Sequence, residues 1–437
     1  MNLKRQKFII SFGVLFLLAI SILLFCGYPQ SKKSAGDTTT TEEHSLRVLL
    51  DIDYKSDIRS SALRDMGDIR QQIADLCPEV SIQYESAPAD GEERDSYLTR
   101  IRTELMAGNG PDVFVCMSGY RPSKTPGEFI QPLFSFPEQI MKRKIFLPLD
   151  KYIEKAQFME WNRLPPVVMD AGKNEHGQML LPMTYTMPVT IYKKSDYSDN
   201  ISDIMTWNDA RTDSTELQAA ASSCTSMLMA NVFSILADYE KEVLGFTEQE
   251  LFQYINIKVD YLEHEFSGGT DRNYFINSIC PDITYKTESG IIKFKQSDDL
   301  TFIPLYTMQG GYVATITSFG AINANTRYAD AAFRVLDVLL SKESQSSLFY
   351  LHLLRHQSIP TYRFDDAELR KILQTSEHNT ASIIDLCDNI TKARVESRLE
   401  KEIYAILDKY FQSDSEKSLE DIVHQVYTSM SMMVGES

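Results

Sequence analysis

The stretch Gly177–Tyr197, GQMLLPMTYTMPVTIYKKSDY, sets two threonines and a tyrosine between two prolines. Thr184 and Thr186 each offer a hydroxyl that donates and accepts, and Tyr185 offers a ring face with a polar tip. Pro182 and Pro188 stiffen the chain on both sides. Comparable groups end other apolar runs. Asp51, Asp53 and Tyr54 close RVLLDIDY, Ser118 and Tyr120 follow DVFVCM, and Gly310-Gly311-Tyr312 precedes another strand-like run. A carboxylate such as Asp53 accepts strong hydrogen bonds from hydroxyl donors, and Gly311 lets a ligand approach the backbone closely. Together these groups offer hydroxyls, carboxylates and a ring face at the ends of apolar runs. Each has a packing alternative. MTYTMP also reads as a buried β-bulge with a core tyrosine, the acids as helix N-terminal residues, and the glycine pair as a tight turn.

Reaction chemistry is not indicated. His352 and His356 stand four apart in HLLRH, but the glutamate of HExxH is missing and a surface helix explains the spacing. There is no GxSxG, Walker A or GxGxxG, and no carboxylate pair stands out as an acid and base. The expectation is a non-enzymatic protein with no cofactor and no metal. Cys77, Cys116, Cys224, Cys280 and Cys387 lack CxxC spacing and read as small buried hydrophobes. Trp207, in TWNDA, reads as core. The residues around Trp161 do not choose between packing and ring stacking. A formal charge of −17 argues against nucleic acid, whose phosphates need a Lys/Arg surface.

The elements that must position these groups follow a tethered body. Lys4, Arg5 and Lys7 precede an apolar run from Phe8 to Cys26. Such a run is a secretory signal or an anchor, since roughly 20 apolar residues span a bilayer. The basic side stays in the cytoplasm, so everything after Cys26 is expected outside. LLFCG is similar to the bacterial lipobox, which makes Cys26 the expected lipidation site. Phe25 departs from the small residue that the pattern wants, and an uncleaved helix is the alternative. Residues 1–26 are thus signal or anchor, and 27–45 a flexible polar tether. The body starts at Leu46. RVLLDID, EVSIQY and DVFVCM read as strands, with helical spacing between them over Ile58–Leu76 and Tyr97–Met106. That order predicts an α/β fold with a parallel sheet covered on both faces. Asn200–Gly268 reads as mostly helical, with a capping box at Thr247–Glu250. Tyr312–Ala324 is strand-like, Ala329–Leu340 is an amphipathic helix, and Asp366–Val434 is helical.

Six segments in order carry a resemblance that covers nearly the whole chain. They are the lipobox-like Cys26 with its tether, ELMAGNGPDVFVCMSG, FLPLDKYIEK, GQMLLPMTYTMPVTIYKKSDY, TWNDA and AINANTRYADAAFRVLDVLLSKESQ. The chain resembles the extracellular solute-binding proteins of bacterial ABC importers, in the class that includes the maltose-binding protein. Lys193 stands where that class usually has Asn, and Leu180-Leu181 where it has Tyr-Gly.

The resemblance implies a two-lobed periplasmic-binding-protein-like fold, with hinge strands and a ligand cleft between the lobes. One lobe would take 46–184 plus 321–363, the other 185–320 plus 364–437. MTYTMP becomes a crossing between lobes that also lines the cleft. The implied site is Asp53, Tyr54, Ser118, Tyr120, Thr184, Tyr185 and Gly311. The implied ligand is a small solute, by default a carbohydrate. The implied partners are ABC permease subunits in the membrane, on whose outer face the protein is anchored. A membrane-anchored sensor feeding a kinase and a cell-wall-directed enzyme are the alternatives.

Overall fold

The computed structural model describes residues 45–52, 62–123, 128–193, 206–212, 226–266, 300–347, 358–412 and 417–436, with short pieces between them. The apolar run ending at Cys26, the tether, Asp53, Tyr54, Cys280, His352 and His356 lie outside the described residues.

The first segment alternates strands and helices. They are β1 (Ser45–Asp51), α1 (Gly67–Leu76), β2 (Ser81–Ser86), α2 (Gly91–Met106) and β3 (Val113–Met117). β1 is almost wholly buried and β3 wholly so, as strands covered on both faces are. β1 pairs in parallel with β2, Leu49 opposite Glu85, and with β3, Leu50 opposite Val115. β4 (Leu180–Thr186) follows, and after Met187-Pro188 comes β5 (Val189–Lys193). β6 (Leu300–Pro304) pairs antiparallel with β5 in a separate sheet. β7 (Val313–Ile322) then returns to the first sheet. It lies antiparallel between β3 and β4, with Phe319 opposite Cys116 and Ala321 opposite Leu180. β8 (Ile359–Pro360) adds to β4, and β9 (Lys392–Val395) pairs in parallel with the start of β7.

The strand order is β8-β4-β7-β3-β1-β2, and the sheet is mixed rather than parallel. The βαβ pattern of the first segment predicts its own three strands correctly. It carries no information on β7, which enters from a distant segment and runs the other way.

Residues 180–186 form one continuous strand, not the interrupted strand the prolines suggest. Pro182 sits where the β4–β7 register shifts, a bulge where its missing N–H leaves no ladder gap. The passage between sheets comes later, at Met187-Pro188, where Leu305 N donates to Pro188 O at 3.0 Å.

The described part of Asn200–Gly268 is not helical throughout. It holds a helix over Trp207–Thr212, a 3-10 turn over Met227–Val232, a two-stranded hairpin (Ala237–Asp238 with Val243–Leu244) and α3 (Glu248–Phe266). The capping box does form: Thr247 N donates to Glu250 Oε2 at 2.7 Å, and Glu250 N to Thr247 Oγ1 at 3.2 Å.

α4 (Ala329–Leu339) lies on the first segment. Phe333 stacks on Tyr152, Arg334 donates to Leu76 O at 3.0 Å, and the buried Asp337 carboxylate accepts from the amides of Gln157, Phe158 and Met159. Three acceptor bonds at a chain turn explain a buried acid in an otherwise apolar helix face. The C-terminal helices α5 (Glu377–Asp388), α6 (Arg398–Gln412) and α7 (Leu419–Gly435) pack against β6, the 227–232 turn and α3. Among the described residues no helix is long and apolar enough to cross a membrane.

Candidate functional site

The carboxyl end of β1 is held by a dry ion pair. Asp51 is 1% exposed and Arg94, in the first turns of α2, is 2% exposed. The guanidinium donates to both Asp51 oxygens at 2.7 and 3.2 Å, to Pro88 O at 2.8 Å and to Gln131 O. Leu133 N adds a donor to Asp51 at 3.2 Å. A bidentate, fully hydrogen-bonded pair of this kind fixes geometry. Here it fixes the segment 129–133, whose first three residues line a groove.

The groove has a volume of about 1050 Å³. One side is the start of α2 with Ser123 and residues 128–131, and the other is α6 and the start of α7. Its wall holds Phe129 and Lys401. The Lys401 ammonium lies 5.4 Å from the Phe129 ring centre and 5.0 Å from that of Tyr120, which is buried just behind. Tyr404 meets the Phe129 ring edge-on at 6.3 Å. Tyr120 OH bonds Ser135 Oγ at 3.1 Å, and Ser135 O accepts from Arg398 N at 2.8 Å. Asp408, also on the wall, is pushed above the usual carboxylate range by burial.

Below the groove the two halves of the chain touch directly. Arg121, just past β3, donates to Glu396, just past β9, at 2.8 Å. Glu396 is 2% exposed, and burial raises its carboxyl above the usual range against the pull of Arg121. Gly119 has φ +73, and a Cβ there would stand 2.0 Å from the Glu396 carboxyl carbon. Only glycine both adopts that φ cheaply and leaves room for the acid. Beside this contact, Arg394 donates to Asn231 Oδ1 at 2.7 Å, to Phe233 O at 2.8 Å and to Glu400 at 3.0 Å. Glu138 lines a small cavity next to Glu400, and burial with that like charge pushes its carboxyl up to about 7.

Tyr120 is the one described candidate in contact with a groove side chain. Three others lie buried in the sheet. Ser118 is fully buried and donates to Ile316 O. Thr184 is fully buried and bonds Thr317 Oγ1 at 2.8 Å and Ser318 Oγ at 2.6 Å. Tyr185 is 3% exposed, and burial, then the neighbouring Cys387, drives its hydroxyl well above its ordinary pKa. Gly311 has φ +71, and a Cβ there would lie 2.3 Å from the Thr391 side chain, so it serves a packed turn.

The structure also decides residues weighed only loosely. Trp207 is 2% exposed, with its indole N–H bonded to Ala221 O. Cys77, Cys116, Cys224 and Cys387 are free thiols. Phe129, Lys401, Arg121 and Glu396 escape sequence reasoning. Their partners stand far away in the chain, and FIQPL and SRLEKE carry no pattern beyond ordinary edge and helix residues.

No protein-family model and no curated protein matches the sequence. Solved structures do match. A family 1 extracellular solute-binding protein from Alicyclobacillus acidocaldarius is 13% identical, with a TM-score of 0.55 over 90% of this chain and 98% of that one. The sugar-binding protein MalE from Xanthomonas citri is 11% identical, with a TM-score of 0.55 over 90% and 98%. The ABC substrate-binding protein Lmo0181 from Listeria monocytogenes, solved with cycloalternan, is 13% identical, with a TM-score of 0.52 over 90% and 99%. The chain has the two-lobed α/β fold of these solute-binding proteins, and the resemblance read from its sequence holds at that level. Two de novo designed esterases also share the fold, so the functional argument rests on the site.

Proposed function

We propose that this chain is the extracellular substrate-binding lipoprotein of an ABC importer, capturing a small carbohydrate between two lobes and delivering it to permease subunits. The groove beside Phe129 and Lys401 carries the reading. Its volume is at the upper end for small-molecule pockets, and it combines ring faces with charged hydrogen-bonding groups, the mixture a sugar needs. The sugar-binding neighbours support the ligand class. The lobes divide near 46–184 plus 321–363 and 185–320 plus 364–437. The packing of α4 on the first segment, and of α6 and α7 on residues 227–266, supports that division. The contact of Arg121, past β3, with Glu396, past β9, would hold the two halves together around the solute.

Two measurements test this. Phe129→Ala and Lys401→Ala are expected to weaken saccharide binding by about 1–3 kcal/mol, up to a hundredfold, with little change in melting temperature. Calorimetric titration against a panel of oligosaccharides reads the affinity. Lost melting temperature with unchanged affinity would make these residues structural and defeat the proposal for the groove. For the anchor, Cys26→Ala is expected to abolish a lipid-bearing mass at the mature N-terminus and release the protein from membranes. An N-terminus and membrane retention identical to the parent's would assign anchoring to an uncleaved helix.

A further inference from the structure

Trp161 is one of two tryptophans, and its position is unusual for the residue type. It is 36% exposed, while Trp207 is 2% exposed. It begins a 3-10 turn, Trp161–Arg163, and has no ring or cation partner among the described residues. Part of its ring faces water, where the apolar face of a ligand could cover it. Beside it lies a second cavity, of about 550 Å³, well inside the range of small-molecule sites.

The lining of this cavity is segregated. Leu164 and Met169 are buried and, with the half-buried Ile153, supply apolar side chains. Trp161 stands exposed beside them, and Glu154 and Asp170 are exposed carboxylates on the lining. Neither carboxylate has a side-chain partner among the described residues. Asp150, also on the lining, accepts from Gln178 N at 2.9 Å. None of these residues lines the groove beside Phe129.

We propose that this cavity is a second saccharide site, in which a pyranose ring stacks on Trp161 and gives hydroxyl hydrogen bonds to Glu154 and Asp170. A sugar ring offers a C–H face and a rim of hydroxyl donors. An exposed indole beside apolar side chains meets the first, and uncommitted carboxylates meet the second. A purely apolar ligand would leave the carboxylates facing it, and an anionic one would be repelled by them. Lys173 on the lining offsets one of the acids, so the site does not demand a cation. The inference is independent of the groove: it uses different residues and survives if the groove binds something else.

The two-tryptophan composition supplies the test. Because Trp207 is sealed in the core, ligand-dependent emission should come from Trp161. Titrating the full chain with maltotriose, cellotriose, xylotriose and chitotriose is expected to shift or quench the emission with at least one of them. Trp161→Ala should abolish that response and weaken binding at this site roughly tenfold or more, without lowering the melting temperature. Glu154→Gln with Asp170→Asn should weaken binding while the response remains. Phe129→Ala should leave the response intact. No response to any saccharide overturns the proposal. So does a response that persists in Trp161→Ala or disappears in Phe129→Ala, and so does a response to trilysine alone, which would make the cavity a cationic-peptide site.

Discussion

Arg94→Met is expected to lower the unfolding free energy by about 3–5 kcal/mol, because it leaves the Asp51 carboxylate charged and dry. Asp51 is 1% exposed, so water cannot stand in for the lost guanidinium without opening the end of β1. The carbonyls of Pro88 and Gln131 lose their donor in the same step. Asp51→Leu combined with Arg94→Met removes both charges and should recover most of the loss. Denaturant melts of the parent, the single variant and the double variant measure this. A single-variant cost under about 1 kcal/mol would mean the pair is solvated. Residues 129–133 hang from this pair, so saccharide affinity at the groove should fall in Arg94→Met and return only in part in the double variant.

A second large effect has the opposite sign. Lys258 is fully buried in α3, its ammonium donating to Ala221 O at 2.9 Å and lying 4.9 Å from the centre of the Tyr254 ring. Burial lowers its pKa from 10.5 to about 8. At this site the folded state therefore holds fewer protons than the unfolded chain between about pH 8 and 10.5, and the contribution of Lys258 to stability rises across that window. Below about pH 8 the buried charge costs on the order of 3 kcal/mol, from 2.5 pKa units at 1.36 kcal/mol each. Lys258→Met keeps the stem's volume and removes the charge. It should stabilise the protein at pH 7 by about 2–3 kcal/mol, reduced by the lost hydrogen bond. The gain should fade by pH 10.5. A variant less stable than the parent at pH 7 would show that Ala221 O and Tyr254 compensate the charge fully.

The parts of the fold legible in the sequence are those governed by near neighbours. RVLLD and DVFVCM are apolar runs of strand length, and the spacing of ADAAFRVLDVL gives α4 its buried face. Thr247 and Glu250 satisfy each other's amides three residues apart. What was not legible depends on residues far away. Whether Thr184 faces a cleft or a sheet is decided by Thr317 and Ser318 on β7. Asp51 reads as an open acceptor until Arg94 is placed on it. Tyr120 follows its strand as expected, but its surroundings depend on Lys401, 281 residues further on (401 − 120). Pro182 argues for a strand break, and a register shift opposite it absorbs the missing N–H instead.

The hydroxyls that hold β4 to β7 have a mechanical meaning. Thr184, Thr317, Ser318 and Ser358 form a buried chain of O–H···O contacts, with Thr317 to Ser358 at 2.7 Å. Apolar side chains at these positions would interlock, and any sliding of the strands would open voids. A hydroxyl is small, rotates about its C–O bond, and both donates and accepts. Each hydroxyl can rotate and exchange its donor and acceptor roles with its neighbour while the strands shift slightly, so the four stay hydrogen-bonded to one another. Just before the polypeptide leaves for its second sheet, the core thus holds four linked hydroxyls that can readjust, followed at Thr186 by a buried hydroxyl with no hydrogen-bond partner.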